Sequence, residues 1–380
     1  MEKIFLKNTT LNGSLNDSEL KDPCIFTVGE YIDIQFGLAI FGIALSIISF
    51  VENFMLLFFF FTKKGVMNSV FLYLSVLAVL DLLHSISYVF VMSVPIIIEV
   101  TASVVLVGLW HKYFIPMFVL SHIVMMTGAY LLVMESLERY LTQNCAVIFA
   151  PVHRIFFIFG ALAFSILSKG TIYWEVAWDV NKNCSDLSRY SLIYSDLSKD
   201  EIYNYYWMFW YRNITSIFLP FLALILLNSG TSWLRLCRRN PVPSNSTTTY
   251  VKRNINLTAT VLLKRDVADD ILIREETKRA KIAAARTMVA IVVEYLLCAG
   301  LSVMLTVWET TDYVSLTKIE PFYTIASDLV NILTVSECAL RLPTCLLCDY
   351  KFRVEFFRTI FRTDCVRKHE RNAESIELFV

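Results

Sequence analysis

Several carboxylic acids stand inside long apolar stretches of this sequence, where charged side chains are uncommon. The acids are Glu52, Asp81, Glu135, Glu294 and Glu337, and one base, Arg341, is considered with them. Because a charge inside a membrane is costly, such residues pair with one another or mark a path for ions, protons or substrates. Arg341 follows Glu337 by four residues, so one helical turn would bring these two side chains together.

A second set of ionisable residues, Glu138-Arg139-Tyr140, lies at the end of the third apolar stretch. The Arg139 side chain has three options there. It extends to water at the membrane boundary, it pairs with Glu138, or it pairs with Glu135 one turn earlier. A boundary arginine is common in multi-pass proteins, so the triplet is a weak signal unless the surrounding apolar stretches support it.

The composition and the apolar stretches indicate which secondary-structure elements hold these side chains. The chain has 380 residues, of which 56% are hydrophobic and 18% charged, whereas soluble domains are closer to a quarter charged. Seven stretches are long enough to cross a bilayer, at residues 36–61, 70–98, 114–137, 155–178, 213–234, 283–307 and 322–348. We predict an all-α membrane protein, a seven-transmembrane helix bundle. Since 34 basic residues balance 34 acidic ones, nucleic acid is not expected as a partner.

The distribution of Lys and Arg predicts the orientation. With the N-terminus outside, 23 of the 34 basic residues fall in the inner loops and tail, and an inner excess is the rule for membrane proteins. We therefore expect a plasma-membrane protein with an extracellular N-terminus and a cytosolic C-terminus. Outer asparagines in glycosylation sequons are Asn8, Asn12, Asn16 and Asn183. Asn245 and Asn256 also form sequons, although their segment is predicted to be cytosolic.

Four regions divide the predicted chain. Residues 1–35 form a glycosylated extracellular arm, 36–348 the seven-span domain, 349–362 an amphipathic helix on the membrane surface, and 363–380 a cytosolic tail. The surface helix is predicted because Phe352, Phe356 and Ile360 recur every four residues beside basic ones. Cys365 beyond it, or Cys348 before it, is a candidate for palmitoylation, with an unmodified thiol as the alternative.

Motifs placed along these stretches resemble the rhodopsin-like (class A) G-protein-coupled receptors over about residues 36–362. They are Asn53, the LAVLD run at 77–81, Glu138-Arg139-Tyr140, the FLPF run at 218–221 and the KFR run at 351–353. Within class A the chain most resembles invertebrate FMRFamide-type neuropeptide receptors. That likeness rests on residues 113–116, 172–175, 219–228, 286–293 and 327–333.

Other positions depart from the class A pattern. The family's sixth-span C-W-x-P is replaced by residues 298–302 (CAGLS), and its seventh-span N-P-x-x-Y by residues 341–345 (RLPTC). The family also carries a cysteine at the outer end of the third span, where this chain has Phe114 and no cysteine. Since Cys24 and Cys184 are the cysteines predicted to lie outside, we expect them to form a disulfide; free or interchain thiols are the alternative.

The resemblance also gives Asp81 a role. Its counterpart in the family can hold a sodium ion together with a seventh-span asparagine, whose place Arg341 takes here. We expect an Asp81–Arg341 ion pair instead of sodium, within a core polar network that includes Asn53 and Glu337. Pairing of Arg341 with Glu337 is the alternative.

The second outer loop, predicted at residues 179–206, is acidic and rich in tyrosine. Such a surface suits a peptide with an arginine and an aromatic amide end. Glu99, Glu175 and Asp179 are the candidate ligand contacts, with Glu175 the first choice for a ligand arginine. The alternative is a solvated loop with an ordinary aromatic belt at the membrane interface.

We therefore expect a receptor that binds a secreted neuropeptide and passes the signal to a heterotrimeric G protein, without a cofactor or metal. A chemosensory receptor for a small molecule is an alternative. A transporter or a non-signalling receptor-like scaffold belongs to another class, although no internal repeat of the kind common in transporters is evident. The sequence has no H-E-x-x-H, G-x-S-x-G or phosphate-loop motif, so an enzyme is not expected.

Overall fold

The computed structural model describes residues 32–62, 71–144, 149–182, 184, 189–239, 285–311 and 320–360. Seven helices among them are long and apolar enough to cross a membrane. In chain order these spans are Ile32–Thr62, Phe71–Thr101, Val104–Thr142, Pro151–Glu175, Tyr203–Thr231, Ala285–Thr311 and Phe322–Cys348. The predicted seven-span, all-α architecture is therefore confirmed.

Helical structure continues beyond some of these spans. The third helix reaches Asn144, the fifth reaches Arg239, and the seventh begins at Glu320. An α-helix over Tyr350–Ile360 follows the seventh span, in agreement with the helix predicted at 349–362. Asp349 Oδ1 accepts a hydrogen bond from the Phe352 amide (3.1 Å) at its first turn, which satisfies an otherwise unbonded N–H of the helix start.

Two compact units divide the chain. The larger contains the described residues of Met1–Leu227 and Glu294–Leu342, and the smaller those of Asn228–Val293 and Pro343–Val380. In the larger unit the second and third spans are the most buried, while the first and fifth spans are the least buried. Large apolar side chains such as Phe41, Phe54 and Leu167 are exposed on the spans. Exposed apolar surface of this extent suits contact with lipid rather than water, as expected for a multi-pass membrane protein.

The third and fifth spans begin earlier in the chain than predicted. The third span begins at Val104 rather than at 114, and the fifth at Tyr203 rather than at 213. Lys112 and His111 interrupt the apolar run of the third span, and the fifth opens with Tyr-Asn-Tyr-Tyr-Trp. A search for long aliphatic stretches misses these first turns of the two helices. Their tyrosine and tryptophan residues favour the membrane–water interface rather than the apolar interior.

Two spans contain π-helical turns directly before a proline. The second has one at Val89–Ser93, ahead of Pro95, and the fifth has one at Ile214–Phe218, ahead of Pro220. The fifth span also begins with a π-helical segment, Tyr203–Tyr211, which is not next to a proline. Proline has no N–H to donate and its ring clashes with the carbonyl four residues earlier. A widened turn at that carbonyl relieves the clash.

A β-hairpin that the sequence did not predict follows the fourth span. Strand β1, Val176–Val180, pairs antiparallel with β2, Tyr190–Tyr194, with Trp178 opposite Leu192. Aromatic contacts attach the hairpin to the third span. The rings of Trp178 and Trp110 are 5.0 Å apart, and those of Tyr190 and His111 stack at 4.2 Å. The hairpin thus packs against the N-terminal part of the third span, which contains no cysteine.

Gly42 allows the first and second spans to approach closely. A Cβ atom at Gly42 would overlap the buried ring of Tyr88, whereas a Cβ at Gly37 in the same helix would meet nothing within 4 Å. We expect Gly42→Ala to destabilise the protein by about 1–3 kcal/mol through overpacking. Gly37→Ala is the matched control, and its better helix propensity predicts a neutral or slightly stabilising effect. Thermal unfolding of the purified proteins tests this, and equal stability of the two variants would contradict it.

Candidate functional site

Arg341 lies between two carboxylates in the core of the larger unit. Its Nε is 3.0 Å from Asp81 Oδ2, and its Nη2 donates a hydrogen bond to Glu337 Oε1 at 2.9 Å. Arg341 is 2% exposed, and Asp81 is buried as well. The structure therefore contains both pairings that the sequence left open, and one guanidinium serves two acids.

The other predicted core residue, Asn53, is part of the same region. Its Nδ2 donates to Ser49 O (2.9 Å) and to Cys338 O (3.0 Å), which links the first span to the residue after Glu337. Ser85 Oγ donates to the Asp81 carbonyl at 2.7 Å and to Ser49 Oγ at 2.8 Å. The structure thus brings Asn53, Asp81, Glu337 and Arg341 together.

His84 belongs beside this network and was not predicted as a member. Its Nε2 lies 3.4 Å from Thr334 Oγ1 of the seventh span. The signal was present in the sequence, since His84 follows Asp81 by three residues and so lies on nearly the same helix face. The His84–Thr334 contact thus adds to the Asp81–Arg341 pair between the second and seventh spans.

At the end of the third span, Arg139 and Glu138 have different partners. Arg139 Nη2 donates to Glu135 Oε2 (3.1 Å) and to Ser136 Oγ (3.2 Å). Of the three options for Arg139, the structure shows the pair with Glu135, one turn back on the same helix. Tyr140, the third residue of the triplet, is half-buried.

Glu138 is held by the neighbouring spans. Arg154 of the fourth span donates to Glu138 Oε1 through Nη2 (2.6 Å) and Nε (3.0 Å). The hydroxyl of Tyr73 in the second span donates to Glu138 Oε2 at 3.1 Å. All three residues are buried. Arg154 could not be chosen from the sequence alone, because contacts between different helices depend on how each helix is rotated.

The first-choice ligand residue, Glu175, has a partner inside the protein. Both of its carboxylate oxygens accept from Arg212 Nη2 at 2.5 Å, and Oε1 also accepts from the Tyr203 hydroxyl at 2.7 Å. Glu175 is 1% exposed and Arg212 3% exposed. The arginine expected from a ligand is thus provided by the fifth span, and the pair ties the end of the fourth span to that helix.

The other two predicted ligand residues, Asp179 and Glu99, lie on other elements. Asp179 is exposed on strand β1, and Glu99 is half-buried near the end of the second span. Cys184 is buried. Its predicted partner Cys24, the sequon residues Asn8, Asn12, Asn16 and Asn183, and Cys365 lie outside the described residues. The disulfide, the glycosylation sites and the palmitoylation site therefore stay predictions.

A cavity of about 530 Å³ opens where the hairpin meets the fifth and sixth spans. Its lining includes Tyr194, Glu201, Asn204, Tyr205, Phe209 and Glu309. The volume is within the range of about 300–1,000 Å³ that is usual for ligand sites. The lining combines aromatic rings with carboxylates, which is the chemistry expected for a cationic group.

Comparison with known proteins gives the fold but no close relative. No protein-family model and no curated protein matches this sequence. Among solved structures, the chain is similar to the crystal structure of squid rhodopsin, with a TM-score of 0.61. The match covers 91% of this chain and 87% of that chain at 14% sequence identity. At so low an identity the similarity concerns the fold, and this chain has the seven-helix fold of squid rhodopsin.

Proposed function

We propose that this protein is a rhodopsin-like G-protein-coupled receptor. In this proposal it binds a secreted peptide at its outer end and activates a heterotrimeric G protein at its inner end. The observation that carries the proposal is the seven-span fold shared with squid rhodopsin, with a Glu-Arg-Tyr triplet at the end of the third span. The excess of basic residues in the predicted inner loops supports an extracellular N-terminus and a cytosolic C-terminus in the plasma membrane.

The outer end supports a peptide as the ligand. The hairpin and the start of the fifth span provide a cavity with aromatic and acidic side chains. A neuropeptide of the FMRFamide type, with an arginine before an aromatic amide end, would match this chemistry. The predicted Cys24–Cys184 disulfide would tie the N-terminal arm to the same region.

The inner end supports a switch centred on Arg139. In the structure the guanidinium is held by Glu135 in its own helix. A G protein that binds Arg139 must compete with this carboxylate. A ligand shifts the balance between the held and released states only by its different affinity for the two.

Screening amidated neuropeptides against cells that express the protein tests the proposal. We expect one peptide to evoke guanine-nucleotide exchange on a co-expressed Gα subunit, followed by a calcium or cyclic-AMP response. Peptide binding without exchange would support a non-signalling scaffold instead. Substrate uptake without exchange would support a transporter, and activation by a small molecule alone would support a chemosensory receptor.

The different partners of Arg139 and Glu138 predict different effects of two similar changes. Glu135→Gln removes the charge that holds Arg139, so we expect basal nucleotide exchange to rise by roughly five- to ten-fold, as for the loss of about 1 kcal/mol of a charged hydrogen bond. Glu138→Gln leaves the Arg139 pair intact and is expected to lower stability without raising basal exchange. Exchange assays at matched surface expression measure both, and the reverse pattern would contradict the assignment.

A further inference from the structure

The carboxylates at the proposed outer end differ in whether a basic side chain of the protein neutralises their charge. Glu175 is buried against Arg212 and Tyr203, so its charge is neutralised within the protein. The carboxylates of Glu201 and Glu309 form no ion pair or hydrogen bond with any of the residues that the structure describes, and both residues line the 530 Å³ cavity. Glu201 is exposed and Glu309 half-buried. These two acids are therefore better placed than Glu175 to meet a charged ligand.

The remaining lining favours a cation that is also flat. Tyr205 and Phe209, four residues apart, both face the cavity from the first turns of the fifth span, and Tyr194 lines it from the end of strand β2. Tyr205 is 54% exposed, although its ring also contacts those of Tyr206 and Trp210. A lysine also lines the cavity, but the Lys199 ammonium is bonded to Asp196 Oδ1 at 3.0 Å. The uncompensated charge in the cavity is therefore negative.

The segment that forms the cavity is fixed by hydrogen bonds. Ser198 Oγ donates to the Glu175 carbonyl at 2.7 Å, and Asn204 Nδ2 donates to the Ser198 carbonyl at 3.0 Å. The amide of Tyr203 donates to Asp200 Oδ1 at 2.8 Å where the fifth span begins. A site held in place in this way loses less conformational entropy when a ligand binds.

We propose that this cavity binds the guanidinium of an arginine in the peptide ligand, with Glu201 and Glu309 as its counterions and the rings of Tyr205 and Phe209 beside it. A guanidinium suits this lining better than an ammonium, because its planar fork pairs with carboxylates and stacks on aromatic faces. The assignment rests on the proposed peptide-receptor function and locates the ligand's positive charge.

A pair of probes that differ in one charge tests the site. The probes are Phe-Met-Arg-Phe-amide and the same peptide with neutral citrulline in place of arginine. Binding to the purified full-length protein in nanodiscs is measured with each probe. We expect the protein to prefer the arginine probe by at least about ten-fold, as for one charge-assisted contact of 1.4 kcal/mol. Equal binding of the two probes, or no binding of the arginine probe, would overturn the proposal.

Isosteric variants then locate the contact. Glu201→Gln and Glu309→Gln should each reduce the preference for arginine several-fold, and the double variant should abolish it. Asp179→Asn is the matched control, because Asp179 is an exposed carboxylate outside the cavity lining. Tyr205→Leu provides a second test that keeps both carboxylates, and it should weaken the arginine probe more than the citrulline probe. An unchanged preference in all of the cavity variants would overturn the site.

The same experiments separate the site from the receptor function. If a screened peptide evokes nucleotide exchange and its potency is unchanged by Glu201→Gln and Glu309→Gln, the site assignment is wrong while the receptor proposal stands. If the arginine probe binds in a manner that depends on Glu201 and Glu309, and no Gα subunit responds, the site stands while coupling fails.

Discussion

Arg341→Met is expected to lower the free energy of unfolding by about 3–5 kcal/mol, because it leaves two acids buried without their counterion. The Arg341 side chain is the base that contacts both Asp81 and Glu337 in the structure. Methionine keeps much of the side-chain length and removes the charge. Thermal unfolding of the purified protein and its level at the cell surface measure the loss.

Neutralising the acids should reverse this effect in a graded way. Asp81→Asn alone should be milder than Arg341→Met, because Arg341 keeps its hydrogen bond to Glu337. Adding Asp81→Asn and Glu337→Gln to Arg341→Met should recover most of the stability, since neither acid that contacts Arg341 then carries a charge. A triple variant as unstable as Arg341→Met would show that packing, and not charge, explains the loss.

Arg212→Met is the second change for which we expect a large effect, again about 3–5 kcal/mol. Glu175 is 1% exposed, and after the change its carboxylate keeps the hydrogen bond from the Tyr203 hydroxyl but has lost its counterion. The expected result is a lower unfolding temperature. Arg212→Met/Glu175→Gln should recover part of the loss, because the second change removes the stranded charge.

An exposed ion pair in the same region provides the control for this prediction. The side chains of Lys199 and Asp196 are 61% and 100% exposed, although Lys199 Nζ lies 3.0 Å from Asp196 Oδ1. Because water screens such a pair, Lys199→Met should change stability by less than about 1 kcal/mol. If Lys199→Met and Arg212→Met had equal effects, burial would not be the reason for the importance of the Glu175–Arg212 pair.

Spacing along one helix made part of the candidate site predictable. Arg139–Glu135 and Arg341–Glu337 are each separated by four residues, so the periodicity of the helix was enough to suggest them. The seven spans were predictable for a similar reason, because twenty or so apolar residues are needed to cross a bilayer. The start of the fifth span was less predictable, since the residues from Tyr203 onward are aromatic rather than aliphatic.

Contacts between helices were not predictable in the same way. Glu175 meets Arg212, and Glu138 meets Arg154, only when two spans have a particular rotation and depth relative to each other. Asp81–Arg341 was expected because the resemblance to class A receptors supplied that register. Without such a template, the sequence favours Glu175 as a ligand contact, whereas in the structure its carboxylate pairs with Arg212 of the fifth span.

The orientation of the chain in the membrane is the claim on which the receptor account most directly depends. Epitope tags at the two termini of the full-length protein test it in intact and permeabilised cells. The account predicts that the N-terminal tag is labelled on intact cells and that the C-terminal tag is labelled only after permeabilisation. Labelling of both tags on the same side of the membrane would contradict it, because seven spans place the two termini on opposite sides.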